Sequence, residues 1–287
     1  MSESQGTRYA DVASWELSDS LWLRIEPLLP KVKSRLRGRG KYRKHIGGRP
    51  PADRRKLMGG ILYVLRTGCQ WKSLHTEWFG ASSSLHDRYQ AWCEAGLWKK
   101  IFQLLLRFYD KLKGIRWRWQ AIDSKSVAAP LGGEKTGKNP TDRGKRGSKR
   151  HILVDARGAP LAIVVSAANA HDKTCALAVL KAQVVRRPQT IYRVHHLCAD
   201  KGYDYTDIRR ALHRRNYRVH IARRGVIVED IPANKRHPAR RWVVERTLSW
   251  QNDFRSLRTR WAKKADNWLG FLYCASALVL WRMATQP

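Results

Sequence analysis

The sequence predicts an α+β protein in which a mixed five-stranded sheet with flanking helices follows a small helical domain. Three observations carry this. Upstream of residue 114, apolar residues recur at helical spacing in several short segments joined by turns at Gly68 and Gly80. At Trp117 the texture changes to the β-rich runs WRWQAIDSKSVAA, HILVDA and LAIVVSAAN, the last two separated by a hairpin turn at residues 157–160. Beyond them helices and strands alternate, an order that covers a sheet with helices.

The elements follow in chain order. Residues 15–29 place Leu17, Leu21, Trp22, Ile25, Leu28 and Leu29 on one helical face, with Ser18 or Ser20 as cap and Pro30 as stop. Residues 31–55 hold eleven Lys or Arg against one Asp, cannot bury a core, and are expected to form a mobile basic loop. Helices are then expected over 55–66, over 82–96 with serine caps, and over 97–113 as an amphipathic run. Together they make a domain of helix-turn-helix character at 56–114. On its second helix His86, Arg88, Tyr89 and Gln90 are either a groove-reading face or the polar face of a packed helix.

The second domain, 115–287, begins with a strand at 117–129. Residues 132–149 (GGEKTGKNPTDRGKRGSK) lack apolar side chains and are expected to form a long loop, functional or disordered. After the hairpin come a helix at 172–185 with Asp172 as its N-cap, a strand HHLCAD, a helix at 205–216 and a strand YRVHIA. A long helix is expected over 239–260, with Trp242, Val243, Leu248, Trp250, Phe254 and Leu257 as its apolar stripe. An apolar helix over 268–283 closes the chain.

The 287 residues carry 57 Lys plus Arg against 23 Asp plus Glu, a formal net charge of +34, so the partner is a polyanion: nucleic acid or an anionic membrane. The longest uncharged stretch, residues 267–281, falls short of the roughly 20 apolar residues that span hydrocarbon, which favours a buried helix and no membrane partner. The opening MSESQGTRYADVASWEL has no apolar run, so a cytoplasmic, nucleoid-associated protein is expected. Five scattered cysteines with no CxxC pair give neither a disulfide framework nor a zinc ribbon.

Against this charge three acids stand out. Asp123 lies in the first strand (AID), Asp200 ends the fourth (LCAD), and Glu245 sits on the tryptophan-rich helix (RRWVVERTLSW). If the first and fourth strands are neighbours, their carboxylates converge at one end and the helix supplies the third. Hard oxygen ligands favour Mg²⁺ or Mn²⁺, and two such ions about 4 Å apart suit an in-line displacement at phosphorus. The structural alternative is that Asp200 merely ends a strand while Glu245 pairs with Arg241 or Arg246 along its helix. Tyr203 beside Gly202 is either a base-stacking ring or a packed aromatic, and Trp250 reads as core.

The stretches AIDSKSV, GSKRHILVDARGAPLAIVVSAANAHDKT, LCADKGYDYTDIRRAL and RWVVERTLSWQNDFRSLRTRW resemble the DDE transposases of bacterial insertion sequences, in the insertion-sequence-five branch of the insertion-sequence-four superfamily. Upstream, LSDSLWLRIEPLLP, GRPPADRRKLMGGILYVLRTGCQWKSL and LHDRYQAWCEAGLW are similar to that family's amino-terminal helical DNA-binding domain. The resemblance runs from about Leu17 to Met283 and implies a ribonuclease-H-like catalytic domain with Asp123, Asp200 and Glu245 as catalytic and metal-binding triad. It implies that Arg241 contacts DNA phosphate and that His171 and Asp172 match a recurrent His-Asp pair. The family's tyrosine before that arginine is replaced by Pro238, and the basic residue seven after the glutamate by Asn252, with Arg255 the nearest cation downstream.

The implied partner is double-stranded DNA, both terminal inverted repeats and target, engaged by a homodimer. Lys145, Arg146, Lys149 and Arg150 in and after the second basic segment, and Arg43, Lys44 and Arg49 in the first, are expected to hold its strands together with Arg241 and Arg255. Two other classes fit the charge: a non-catalytic DNA-binding regulator that keeps the fold, and a general nuclease. The intact acidic triplet argues against the regulator, because clustered carboxylates facing phosphate repel without metal.

Overall fold

The computed structural model describes residues 17–31, 36–37, 44–45, 52–188, 194–223 and 240–286. It divides into two compact units, Met1–Leu97 and Trp98–Pro287.

In the first unit α1 (Asp19–Ile25) starts where Ser18 Oγ accepts the Leu21 N–H and buries Leu21, Trp22 and Ile25. The expected basic loop contains a two-residue antiparallel ladder, β1 (Leu36–Arg37) with β2 (Lys44–His45). Next, α2 (Arg54–Thr67) is capped by Asp53, whose carboxylate accepts the N–H groups of Arg55 and Lys56, and ends on Gly68 at φ 69°. A short α3 (Thr76–Phe79) leads into α4 (Ser82–Glu94). The last two helices close on α2 because Gly60 has no side chain: a Cβ there would collide with Leu85 and lie 3.0 Å from Phe79 Cβ.

Two expectations for α4 change. Its N-cap is Ala81, which makes no side-chain cap, so the serines lie inside the first turn. Tyr89 is buried, and the Tyr89 and His86 rings both pack on Trp71, so of the four suggested groove readers Arg88 alone is exposed.

The second unit takes in most of α5 (Leu97–Lys113), which the sequence pattern had grouped with the amino-terminal helices. Its aromatic face explains the difference, since Phe102 stacks on Tyr273 and Phe108 on Trp281 of α9 (Ala265–Thr285). That closing helix is long and apolar enough to cross a membrane, but 67% of its apolar window is buried within the protein.

The sheet is built from β3 (Trp119–Ala128), β4 (Gly137–Lys138), β5 (Arg146–Asp155), β6 (Pro160–Ala167), β7 (His195–Ala199) and β8 (Tyr217–Ile221). Its five main strands run in the order β6-β5-β3-β7-β8; the first three are antiparallel, and β7 and β8 join parallel to β3. The expected five-stranded mixed sheet is thus present, with β3 at its centre. β4 adds a sixth, two-residue strand beside the start of β5.

The β5–β6 hairpin is held by the buried Asp155, whose carboxylate accepts N–H groups from Arg116, Arg157 and Ala159 at 2.9 Å each. Helices cover both faces. On one, α6 (Asp172–Lys181) packs against β5 and β6; on the other, α8 (Trp242–Asn252) packs against β3 and β5. A further helix, α7 (Thr206–His213), packs against β8.

Residues 132–149 are not a free loop. Arg260, fully buried, donates to Ser148 Oγ at 2.6 Å and to Lys263 O, Ser148 donates to Lys135 O, and Glu134 accepts the Ala265 N–H. The long helix expected over 239–260 ends at Asn252, where Phe254 turns extended to bury its ring and Arg258 caps the Asn252 carbonyl.

Candidate active site

Strand register positions the first two acids. β3 and β7 run parallel with Ala121 opposite Cys198, and each acid lies two residues further on, so Asp123, in the middle of β3, and Asp200, just past the end of β7, stand at one level on the same face. Each carboxylate is steadied by the next residue's amide: Ser124 N–H donates to Asp123 Oδ1 at 2.8 Å, and Lys201 N–H to Asp200 Oδ1 at 2.6 Å. The third acid comes from the first turn of α8. Arg241, the N-cap residue of that helix, donates from Nη1 to Asp200 Oδ1 at 3.3 Å and from Nη2 to Glu245 Oε1 at 3.2 Å.

The pairing of Glu245 with Arg241, expected only as a structural alternative, therefore coexists with convergence on Asp200. Both acids are about half exposed, so these contacts are worth no more than about 0–1 kcal/mol each and exchange readily.

Asp123 sits deeper. Burial pushes its carboxyl up to about 6, the Ser124 amide and Arg241 oppose the shift, and the charges of Asp200 and Glu245 add to it. Its charge is only partly compensated by its protein neighbours. The donors are three hard carboxylate oxygens, which fit Mg²⁺ or Mn²⁺. Among the described residues no three His, Cys, Asp or Glu side chains are drawn tightly enough to hold one ion as they stand.

The cations divide sharply. Lys145 and Arg146 are exposed, and the pairing of Ala128 with Gly147 sets them beyond the carboxyl-terminal end of β3, five residues along the strand from Asp123. Arg255 is exposed in the turn after α8. By contrast Arg150 is fully buried and donates to Leu257 O, Leu248 O and Asn252 Oδ1, so it has no donor left facing outward for phosphate. Burial lowers its pKa to about 10, which leaves it charged at neutral pH. Asn252, standing where the family carries a basic residue, is thus met by a guanidinium that arrives from β5.

Lys149, on the opposite face, is largely buried and committed to Asp172 Oδ1 and Ala170 O, at 3.0 Å each. Of the first basic segment, Lys44 pairs through its backbone in the β1–β2 ladder, while Arg43 and Arg49 lie outside the described residues, as does Pro238.

Other expectations shift. His171, not Asp172, caps α6, its Nδ1 accepting the Lys173 N–H at 3.2 Å. Asp172 instead accepts the Ser124 hydroxyl at 2.8 Å. Tyr203 is buried, with no face for a base, and its hydroxyl is pushed well up by burial and then by the Asp172 and Asp123 carboxylates. Trp242 is 57% exposed instead of part of an apolar stripe, and Trp250 is half-buried; Arg246 lies over both rings. An aromatic with cationic neighbours on both sides was the available signal for Trp242, since Arg241 precedes it and Arg246 lies one helical turn on.

A family model described as the transposase DDE domain matches residues 118–280, and one described as a putative transposase of the IS4/5 family matches 17–102. The chain is 38% identical over 181 residues to the putative transposase for insertion sequence element IS402 of Burkholderia cepacia, covering 60% of this chain and 78% of the relative. It is 36% identical over 125 residues to the insertion element IS402 uncharacterized 16.2 kDa protein of the same organism, covering 43% and 80%. Among solved structures, the catalytic domain of Mos1 mariner transposase aligns at 14% identity over 65% of this chain and 90% of that one, with a TM-score of 0.29. The Mos1 mariner paired end complex with Mn aligns at 12% identity over 85% and 82%, with a TM-score of 0.27.

Proposed function

Because this chain belongs to the DDE-domain transposases, enzymes of insertion sequences that cut DNA and transfer its strands, we propose that Asp123, Asp200 and Glu245 form its catalytic centre. The observation that carries this reading is the parallel register of β3 and β7, which aligns Asp123 with Asp200 while Arg241 ties Asp200 to Glu245. The substrate is the terminal inverted repeats of the chain's own element and then target DNA.

The three carboxylates would hold Mg²⁺ or Mn²⁺, two ions in this reading, and the metal would supply Lewis acidity for an in-line displacement at phosphorus. The chain's own residues do the rest. The Ser124 and Lys201 amides orient the two sheet carboxylates. Arg241 links Asp200 to Glu245 and balances their charge, and with a cation held by these acids its guanidinium would be free to donate to the phosphate. Water and a 3′-hydroxyl are alternative nucleophiles for one such site, so cleavage and joining need no second centre.

Lys145, Arg146 and Arg255, exposed near the carboxyl-terminal end of β3, hold the DNA backbone as it runs on from the acids, and the basic segment with Arg43, Lys44 and Arg49 adds to them. Arg150 and Lys149 are left out because Arg150 is buried with both Nη atoms bonded inside the fold and Lys149 Nζ is committed to Asp172 and Ala170. The amino-terminal unit binds the element ends, the protein acts as a homodimer that pairs two ends, and it works in the cytoplasm on the nucleoid.

The test is nicking of a labelled end fragment with Mg²⁺ or Mn²⁺. Asp123→Ala, Asp200→Ala and Glu245→Gln should each lose cleavage and keep end binding. Cleavage that survives in any of them rejects the assignment, and cleavage by the wild type of DNA without element ends would make it a general nuclease.

A further inference from the structure

On the sheet face opposite the catalytic carboxylates lies a second polar cluster, which the proposed chemistry does not use. Ser124 connects the two. Because side chains alternate along a strand, Asp123 points to one face and Ser124 to the other. The Ser124 backbone N–H donates to Asp123 Oδ1 at 2.8 Å while its hydroxyl donates to Asp172 Oδ1 at 2.8 Å. A single residue thus bridges a carboxylate above the sheet and one below it.

Asp172 is not spent on its own helix. His171 already caps α6 through Nδ1, and Thr174 Oγ1 donates back to the His171 carbonyl, which leaves the Asp172 carboxylate turned toward the sheet. Lys149 Nζ, donating at 3.0 Å to both Asp172 Oδ1 and Ala170 O, fixes the carboxylate and balances its charge. His151 Nδ1 lies 3.9 Å from the same oxygen, and burial lowers that imidazole to about 4, which keeps it neutral and leaves the Lys149 charge as the counterion.

The other oxygen faces the segment that follows Asp200. A Cβ on Gly202 would lie 3.5 Å from Asp172 Oδ2, ordinary contact distance, so the turn Lys201–Tyr203 packs directly against the carboxylate. Asp200 caps that same turn by accepting the Lys201 N–H. Tyr203, fully buried, closes the contact, and both Asp172 and Asp123 act on its hydroxyl. The residues that immediately follow each catalytic acid therefore meet at one side chain.

We propose that Asp172, with Lys149 as its counterion, is a positioning residue for the catalytic centre: through Ser124 it sets the orientation of Asp123, and through the Gly202 turn the approach of Asp200. This rests on the assignment of the acids as the metal-binding centre. Outer partners that orient ligands are worth about 10- to 100-fold in metal affinity when removed.

The test titrates the full-length chain with Mn²⁺, following free Mn²⁺ by electron paramagnetic resonance, and runs thermal melts and metal-free binding to an element-end fragment alongside. Ser124→Ala removes the link and leaves the Asp172–Lys149 pair intact. It should raise the half-saturating Mn²⁺ concentration about tenfold, with the melting temperature and end binding kept, while Ser124→Thr, which retains the hydroxyl, should restore it. Asp172→Ala should weaken Mn²⁺ at least as much, and the double variant should be no worse than Asp172→Ala alone, because both act through one link.

Wild-type Mn²⁺ saturation in Ser124→Ala overturns the proposal, as does a defect in Ser124→Thr equal to that in Ser124→Ala. A wild-type chain whose Mn²⁺ uptake is absent, or unchanged by Asp123→Ala, overturns the assignment of the acids and this inference with it.

Discussion

Asp123 is the residue at which stability and chemistry pull apart. Its carboxyl is raised to about 6 from an ordinary 3.8, chiefly by burial, so the folded state binds this proton more tightly than the unfolded one does. Stability from this group therefore rises as pH falls from about 6 toward 3.8, and the cost of the charge is felt in full above 6. Asp123→Asn is expected to stabilise the metal-free protein by roughly 2–3 kcal/mol at pH 7.5 and by little at pH 4, while abolishing cleavage. Melts in EDTA at the two pH values check this, and a variant with no gain at pH 7.5 contradicts it. The same shift predicts that cleavage at limiting Mn²⁺ falls as pH drops through about 6. Trp242 yields a second expectation: exposed beside Arg241 and Glu245, it offers a ring face to a base, and Trp242→Ala should weaken end binding by about 1–3 kcal/mol without lowering the melting temperature. The three acids stood out in the sequence as carboxylates in a chain of this charge, and the register of β3 and β7 brings the first two to one face of the sheet. The fates of Lys149 and Arg150 were not legible in the sequence, since neighbours in a strand face opposite ways and each found a different interior partner, Asp172 for one and the carbonyls around α8 for the other.

At the scale of elements, β3, β5 and β6 were readable from alternation and from the turn between the last two. What closes that turn was hidden: Asp155 is a lone polar residue ending HILVD, yet it serves three backbone amides from inside the sheet. Asp155→Ala leaves all three without a buried acceptor, and a loss of about 2–4 kcal/mol in urea unfolding is expected. A loss below 1 kcal/mol would mean that water reaches the hairpin. Residues 132–149 were misread for a related reason. Their composition is that of a loop, but the groups that order them lie far along the chain, at Arg260, Lys263 and Ala265, and composition carries no information about distant partners. The helix over 239–260 was drawn too long because its apolar spacing continues past Asn252. Phe254 and Leu257 do become buried, but from an extended residue and a short 3₁₀ turn. The amino-terminal α4 shows the limit of a polar pattern, because Tyr89 and His86 go to Trp71 and leave Arg88 outside.

For the whole molecule the formal charge of +34 poses a question that no single contact answers: which cations meet DNA and which hold the protein together. The fold divides them by burial, and salt dependence reads the division directly. Each phosphate neutralised by the protein releases counterions and contributes close to −0.9 to the slope of log K against log salt on duplex DNA. If Lys145 and Arg146 each hold one phosphate, the pair Lys145→Ala and Arg146→Ala should flatten that slope by about two units and leave the melting temperature in place. Arg150→Met should behave in the opposite way. Its guanidinium satisfies two carbonyls and Asn252 inside the fold, so the loss is expected to fall on stability, at roughly 2–4 kcal/mol, with the salt slope of the remaining folded protein unchanged. Measuring slope and melting temperature on both variants separates the two populations of cations. A reduced slope in Arg150→Met would put that buried arginine at the DNA surface, which requires α8 to lift from β5 when DNA binds, and equal slopes in all three proteins would remove the β4–β5 turn from the interface.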